Sequence, residues 1–264
     1  MKVDKMMNSL TKIIGLGVLS VGLQANVWAD EKPAEMSVGI GAFYVKAPYA
    51  QWDGDEITPI PYFSYKKGDF YIDGTGVGYN VLLKENGNTG FYIDVIGSAQ
   101  VGLGYKNEDS VVLNGMDDRD DIAIELGVKF GHFSEFGLVE FTAVQDVASA
   151  HEGFVAEATY SLPLGDESQG IQVVPYFGLS YQSEDFNQYF YGVEQHEARV
   201  GRSAYQAEGD VNTFGGLSVI YQLTPKWTLT MNAEYEKLGD EAVDSPIVAE
   251  DNVISGFIGI NYAL

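Results

Sequence analysis

The segment QDVASAHEG sets Asp146, Ser149 and His151 within six residues. Those are the residue types of a hydrolytic triad, in which an acid orients an imidazole and the imidazole activates a hydroxyl. They stand where an alternating segment gives way to a polar loop, and such residues are turn formers. The favoured reading is a loop-organising His151, hydrogen-bonded across a rim, with no catalytic residue. A second group is MDDRDD, where Asp117, Asp118, Asp120 and Asp121 surround Arg119. Four carboxylates suit a hard divalent cation, and on an outer surface such an ion would bridge to lipopolysaccharide. The run lacks the glycine-bearing order of a calcium loop and Arg119 partly neutralises it, so a solvated acidic loop with no metal is the favoured reading and the cation site the alternative.

The third group is spread along the chain. On the polar side of alternating segments lie Asp94, Glu125, Lys129, Glu140 and Glu157, followed by Gln172, Gln182, Asn232, Glu234 and Glu236. They are the expected lining of a barrel lumen, which side chains fill or which remains a narrow channel. Net acidity would make an open lumen prefer cations. There is no cysteine, and His132, His151 and His196 have no metal-ligand spacing. No cofactor is expected.

The elements that must position these groups read as strands. In IQVVPYFGLSYQ, Ile171, Val173, Pro175, Phe177, Leu179 and Tyr181 face one way and polar or small residues the other. WTLTMNAEYEKL and DDIAIELGVKFG repeat the pattern, which is the period of a strand. About eleven such segments are visible, and the one at 69–83 changes phase at Gly74 and Gly76. A tight turn there gives an all-β, closed antiparallel transmembrane β-barrel of 12 strands. A barrel needs an even number; ten is the alternative, and a short strand at YFYGV (189–193) is the other way to restore parity.

Alternation does not say which face is inside, and a soluble barrel is the competing architecture. Three features favour lipid outside: segments long enough to cross at a barrel's tilt, tight connections alternating with long ones, and aromatics near segment ends. Those aromatics are Tyr44, Tyr65, Tyr105, Tyr160, Tyr181, Trp227 and Tyr262, the expected interfacial girdles. ITPIPYFSY is the awkward segment, because Pro59 and Pro61 remove two donors from one edge of a strand. They are expected where that strand starts, above the bilayer.

Export is read from the start of the chain. Lys2, Lys5 and Lys12 precede the apolar run IIGLGVLSVGL, and Val27 and Ala29 stand at the small-residue positions of a cleavage site. Residues 1–29 therefore read as a signal peptide and residues 30–264 as the outer-membrane barrel. The full chain carries a formal charge of −23; without the signal peptide 12 basic residues stand against 37 acidic ones, a balance of −25. Such a surface repels nucleic acid.

SVGIGAFYVKAPY, ITPIPYFSYKKGDFYIDGTGVGYNVL, QDVASAHEG, YFYGVEQHEA with Ser203 and Tyr205 following, and LGDEAVDSPIV occur in that order. Together they resemble the MipA/OmpV family of outer-membrane proteins over about residues 37–264. The chain departs from the family at AQWDGDE, at Glu152 inserted before Gly153, and at a terminal Leu264 in place of an aromatic. The resemblance implies a barrel in the outer membrane, contacting lipid and lipopolysaccharide. It also implies a non-enzymatic scaffold that bridges a murein lytic transglycosylase and a murein synthase. A small cation-preferring pore and a surface-exposed adhesin or antigen are the alternatives.

Overall fold

The computed structural model describes residues 35–52, 57–100, 104–166 and 170–264. The signal peptide expected at 1–29 and residues 53–56 of the AQWDGDE loop lie outside them. The strands are β1 (Glu35–Lys46), β2 (Thr58–Lys67), β3 (Phe70–Asp73), β4 (Gly76–Asn86), β5 (Thr89–Gln100), β6 (Ala123–Ser134) and β7 (Gly137–Asp146). There follow β8 (Phe154–Ser161), β9 (Leu164–Asp166), β10 (Ile171–Gln182), β11 (Asp210–Gln222), β12 (Trp227–Lys237) and β13 (Asn252–Ala263).

Pairing runs antiparallel around the molecule and closes where β13 meets β1. β8 and β9 both pair with β10 in one continuous register, Ser161 opposite Tyr176 and Leu164 opposite Val173. They form a single wall strand interrupted at Leu162 and Pro163. The wall therefore has twelve strands. Their parity is set by the turn at Gly74, whose φ of 57° is open to glycine without strain. The segment YFYGV supplies no strand. Tyr189–Tyr191 end the helix α1 (Glu184–Tyr191), and Val193 makes only an isolated bridge to Tyr205. Ser183 caps this helix, and Glu184 and Asp185 favour its positive end.

The apolar faces point outward. Ile124, Leu126, Val128 and Phe130 on β6 and Phe177, Leu179 and Tyr181 on β10 are exposed, whereas Glu125, Lys129, Ser180 and Gln182 between them are buried. This inversion is what a lipid solvent demands, and closure of the sheet lets its backbone groups pair without water, as a spanning helix does. Both ends of the described barrel lie at one rim together with the tight turns other than that at Gly74, which points the opposite way, and the long connections lie at the other, so the first is the periplasmic rim.

The awkward prolines have a second explanation besides their place at the outer start of β2. Gly74 N–H donates to Phe63 O, 3.0 Å, so the backbone of Phe63 faces β3. Residues two apart face alike, so Pro61 and Pro59 turn their missing donors the same way. β3 stops at Asp73, opposite Ser64. Among the described residues, no strand pairs with that edge of β2 above it. Pro175 follows the same rule, because it stands opposite the break in the β8–β9 strand and its carbonyl accepts from Leu162 N–H, 3.0 Å.

Candidate functional site: the lumen and its outer cap

Inside the wall, the sequence-predicted lumen residues form hydrogen-bonded groups. Asp94, fully buried, accepts from Tyr71 Oη at 2.9 Å and Asn80 Nδ2 at 2.6 Å. Next to it Tyr92 donates to Glu140, which also lies 3.9 Å from Lys129 Nζ. Glu125 accepts from Ser98 Oγ at 3.0 Å. On the facing wall Tyr176 donates to Glu234 at 2.9 Å and accepts from Asn232, while Asn212 donates to Glu236 at 2.7 Å. Glu157, buried, stands within electrostatic reach of both Glu125 and Glu234. Gln182 is buried with its side-chain carbonyl oxygen unpartnered among the described residues, and Gln172 is half-buried near the periplasmic rim. Glycines make room for the inward rings: a Cβ at Gly78 or Gly131 would collide with Tyr71 or Tyr92 of the next strand.

Towards the outer ends of the strands, apolar side chains alternate with these polar ones, Val253 opposite Glu236 and Val155 opposite Gln182. Phe43, Val45, Ile96, Val144, Val155 and Val253 point inward from the upper strands and merge with side chains from the outer connections. Tyr49, Tyr105, Leu113, Met116, Phe186, Phe190, Tyr191, Val193 and Ile247 are buried there in one cluster. Tyr105 is thus no part of the interfacial girdle expected of it. It is fully buried, edge-on to Tyr49 with centroids 4.9 Å apart, because its connection folds over the mouth rather than along the lipid.

Two buried arginines fasten this cap. Arg119 Nη1 donates to the carbonyls of Gln188, Tyr189 and Gly192 at 3.1, 2.7 and 3.0 Å, and Nη2 to Glu197 at 2.7 Å. Three of those acceptors lie at the C-terminal end of α1, where helical carbonyls run short of donors, although that of Gln188 also accepts from Gly192 N–H. Arg202 donates to the carbonyl of Glu197 at 2.6 Å and to those of Val112 and Asn114. The second helix, α2 (Asp240–Val243), joins through Ser245 Oγ, which donates to Tyr191 O at 2.6 Å. Burial pushes the Glu197 carboxyl up, but the N–H groups of Asp117 and Glu194, with Arg119, hold it below the usual carboxylate range.

The QDVASAHEG residues organise a loop. Asp146 accepts from the backbone N–H groups of Ala148, His151 and Glu152 at 2.8–3.0 Å. His151 Nδ1 accepts from Gly153 N–H at 2.9 Å, which leaves its Nε2–H for Gln100 Oε1 at 3.1 Å. Its ring lies edge-on to Phe186, centroids 5.0 Å apart, and burial lowers its pKa while Asp146 opposes the shift. Ser149 is exposed at φ 60°. Both imidazole nitrogens and the carboxylate are engaged elsewhere, so the triad types do not form a triad. Glu152 takes φ 56°.

The four aspartates of MDDRDD go separate ways. Asp118 accepts from Asn107 N–H at 2.8 Å, Asp120 pairs with Lys106 at 3.3 Å, and Asp121 is exposed. Asp117 meets His196 Nε2 at 3.1 Å. Sequence spacing could not reveal that meeting, because the two residues are 79 positions apart.

The profile of the family described as MltA-interacting protein MipA matches residues 38–264. The chain belongs to the MipA family. One MipA-family relative, the MltA-interacting protein of Escherichia coli K12, is 30% identical over 256 residues, covering 95% of this chain and 98% of that protein. Outer membrane protein Omp26La of Vibrio anguillarum is 31% identical over 72% of each chain, and outer membrane protein OmpV of Vibrio cholerae likewise. With these relatives and the inverted barrel, this MipA-family protein is an outer-membrane β-barrel.

Proposed function

We infer that this barrel is a non-conducting scaffold whose periplasmic rim brings together a murein lytic transglycosylase and a murein synthase. One observation carries the reading: buried side chains of the outer connections pack in one apolar cluster with inward residues from the outer ends of the strands. A barrel filled in this way is suited to presenting surface rather than passing solute. A relative of the same length bears the name MltA-interacting protein, which fits a partner on the periplasmic side. The rim itself offers a feature for docking. β4 pairs with β3 only as far as Tyr79 and continues with β5 to the hairpin at Asn86 and Thr89.

The test is capture from a periplasmic extract by detergent-solubilised, heat-modifiable protein. Recovery of both enzymes supports the scaffold, and shortening the β4–β5 hairpin should lower it. Recovery of neither, where an E. coli relative used in parallel retains them, overturns the reading. The acidic lumen around Glu157, Glu234 and Glu236 favours a second reading, a cation-preferring pore. It requires discrete cation-selective steps in a planar bilayer that shift in Glu234→Gln and Glu236→Gln variants.

A further inference from the structure

We propose that Asp117, His196 and Glu197 form a binding site for a divalent transition-metal ion of the zinc class on the outer face of the cap. The three come from two connections, the one between β5 and β6 and the one between β10 and β11. One ligand atom from each lies within 4.8 Å of the other two. His196 Nε2 is already 3.1 Å from Asp117 Oδ2. Donors around such an ion sit about 2.0–2.2 Å from it, which places them roughly 3–3.5 Å apart, so closing on a metal needs side-chain adjustment only.

The backbone beneath is held in register. Asp117 N–H donates to Glu197 Oε1 at 2.9 Å, and Glu194 N–H to Glu197 Oε2 at 2.8 Å. Glu197 is fully buried and tied to Arg119, while Asp117 and His196 are largely exposed and free to turn. One fixed ligand and two adjustable ones leave further coordination positions to water. The imidazole decides the class of ion, because calcium and magnesium prefer all-oxygen shells whereas imidazole with carboxylate suits zinc and its neighbours. Arg119 offsets part of the carboxylate charge, so binding should be exchangeable rather than permanent. A bound ion would join the two connections at the surface, above the arginine that joins them underneath.

Equilibrium dialysis of the detergent-folded protein against zinc chloride tests this directly. One zinc per chain is expected, undiminished by excess calcium chloride. It should be lost in His196→Ala and in Asp117→Asn and kept in His132→Ala, all three variants remaining heat-modifiable. No bound zinc, or one equivalent retained in His196→Ala, overturns the site.

Discussion

A single buried side chain, Arg119, joins connections that lie far apart in sequence. Its acceptors on α1 and beyond are 69–78 positions away, so nothing in the local pattern of MDDRDD announces them. The sequence offers a charge in an acidic run; the fold makes that charge the clasp of the cap. Arg119→Ala leaves the buried Glu197 without its cationic partner and the carbonyls of Tyr189 and Gly192 without the guanidinium donor, while that of Gln188 keeps Gly192 N–H. Breaking a buried pair from one side costs about 3–5 kcal/mol. The cost should fall on the cap, since among the described residues Arg119 bonds to no wall strand. The variant should keep its heat-modifiable barrel while its outer connections become sensitive to added protease. His151 adds a pH dependence. Burial keeps it neutral in the fold, with its pKa below the ordinary value, whereas the unfolded side chain takes a proton below about 6.5. The unfolded state then binds more protons, so stability is complete above that pH and falls as pH drops through it. Denaturant midpoints should decline from pH 7.5 to 5.5. In His151→Phe the decline should flatten, and the whole curve should drop by about 1–3 kcal/mol because Gly153 N–H loses its acceptor.

At the scale of the element, most of the wall was legible because period-two alternation is local and survives without knowledge of partners. The phase change at Gly74 marked the β3–β4 turn. What alternation missed was the short helix α1, whose cap at Ser183 and acidic first turn were signals in plain view beside a tyrosine-rich stretch that also suits a strand. It also missed that β3 is only four residues long, since pairing partners determine where a ladder ends. That shortness is what makes the prolines of β2 tolerable. Pro61→Ala restores an N–H that faces no strand, so its effect should stay within about 1 kcal/mol. Leu217 on β11 is paired on both sides, with Pro175 on β10 and Ala233 on β12. Leu217→Pro removes a ladder bond in the lipid-facing wall and should abolish the heat-modifiable form. The two variants refolded side by side into detergent check the argument; equal loss in both would contradict a free edge at β2.

For the molecule as a whole, the sequence predicted a barrel of polar interior and apolar exterior but not whether the interior is a passage. Acidity, tyrosines and glycines on the inner face are common to channels and to filled barrels, so composition does not separate them. The decision rests on the upper third, where inward valines and Phe43 meet the buried aromatics of the outer connections. On the scaffold reading, an ion entering from outside would have to leave water for that apolar cluster. Moving an unpaired charge into such a medium carries a penalty of several kcal/mol even after relaxation, enough to suppress current at ordinary voltages. Planar bilayers containing the folded protein should therefore stay silent across ±100 mV. Loosening the cap should change this before any lumen residue is touched. If Arg119→Ala frees the connections as expected, that variant should show flickering, cation-preferring steps, because the exposed passage is lined by Glu125, Glu157, Glu234 and Glu236. Adding Glu234→Gln and Glu236→Gln to it should reduce the cation preference while leaving the opening frequency unchanged. Open steps in the wild-type protein, with the outer connections still resistant to protease, would place the barrier somewhere other than the cap.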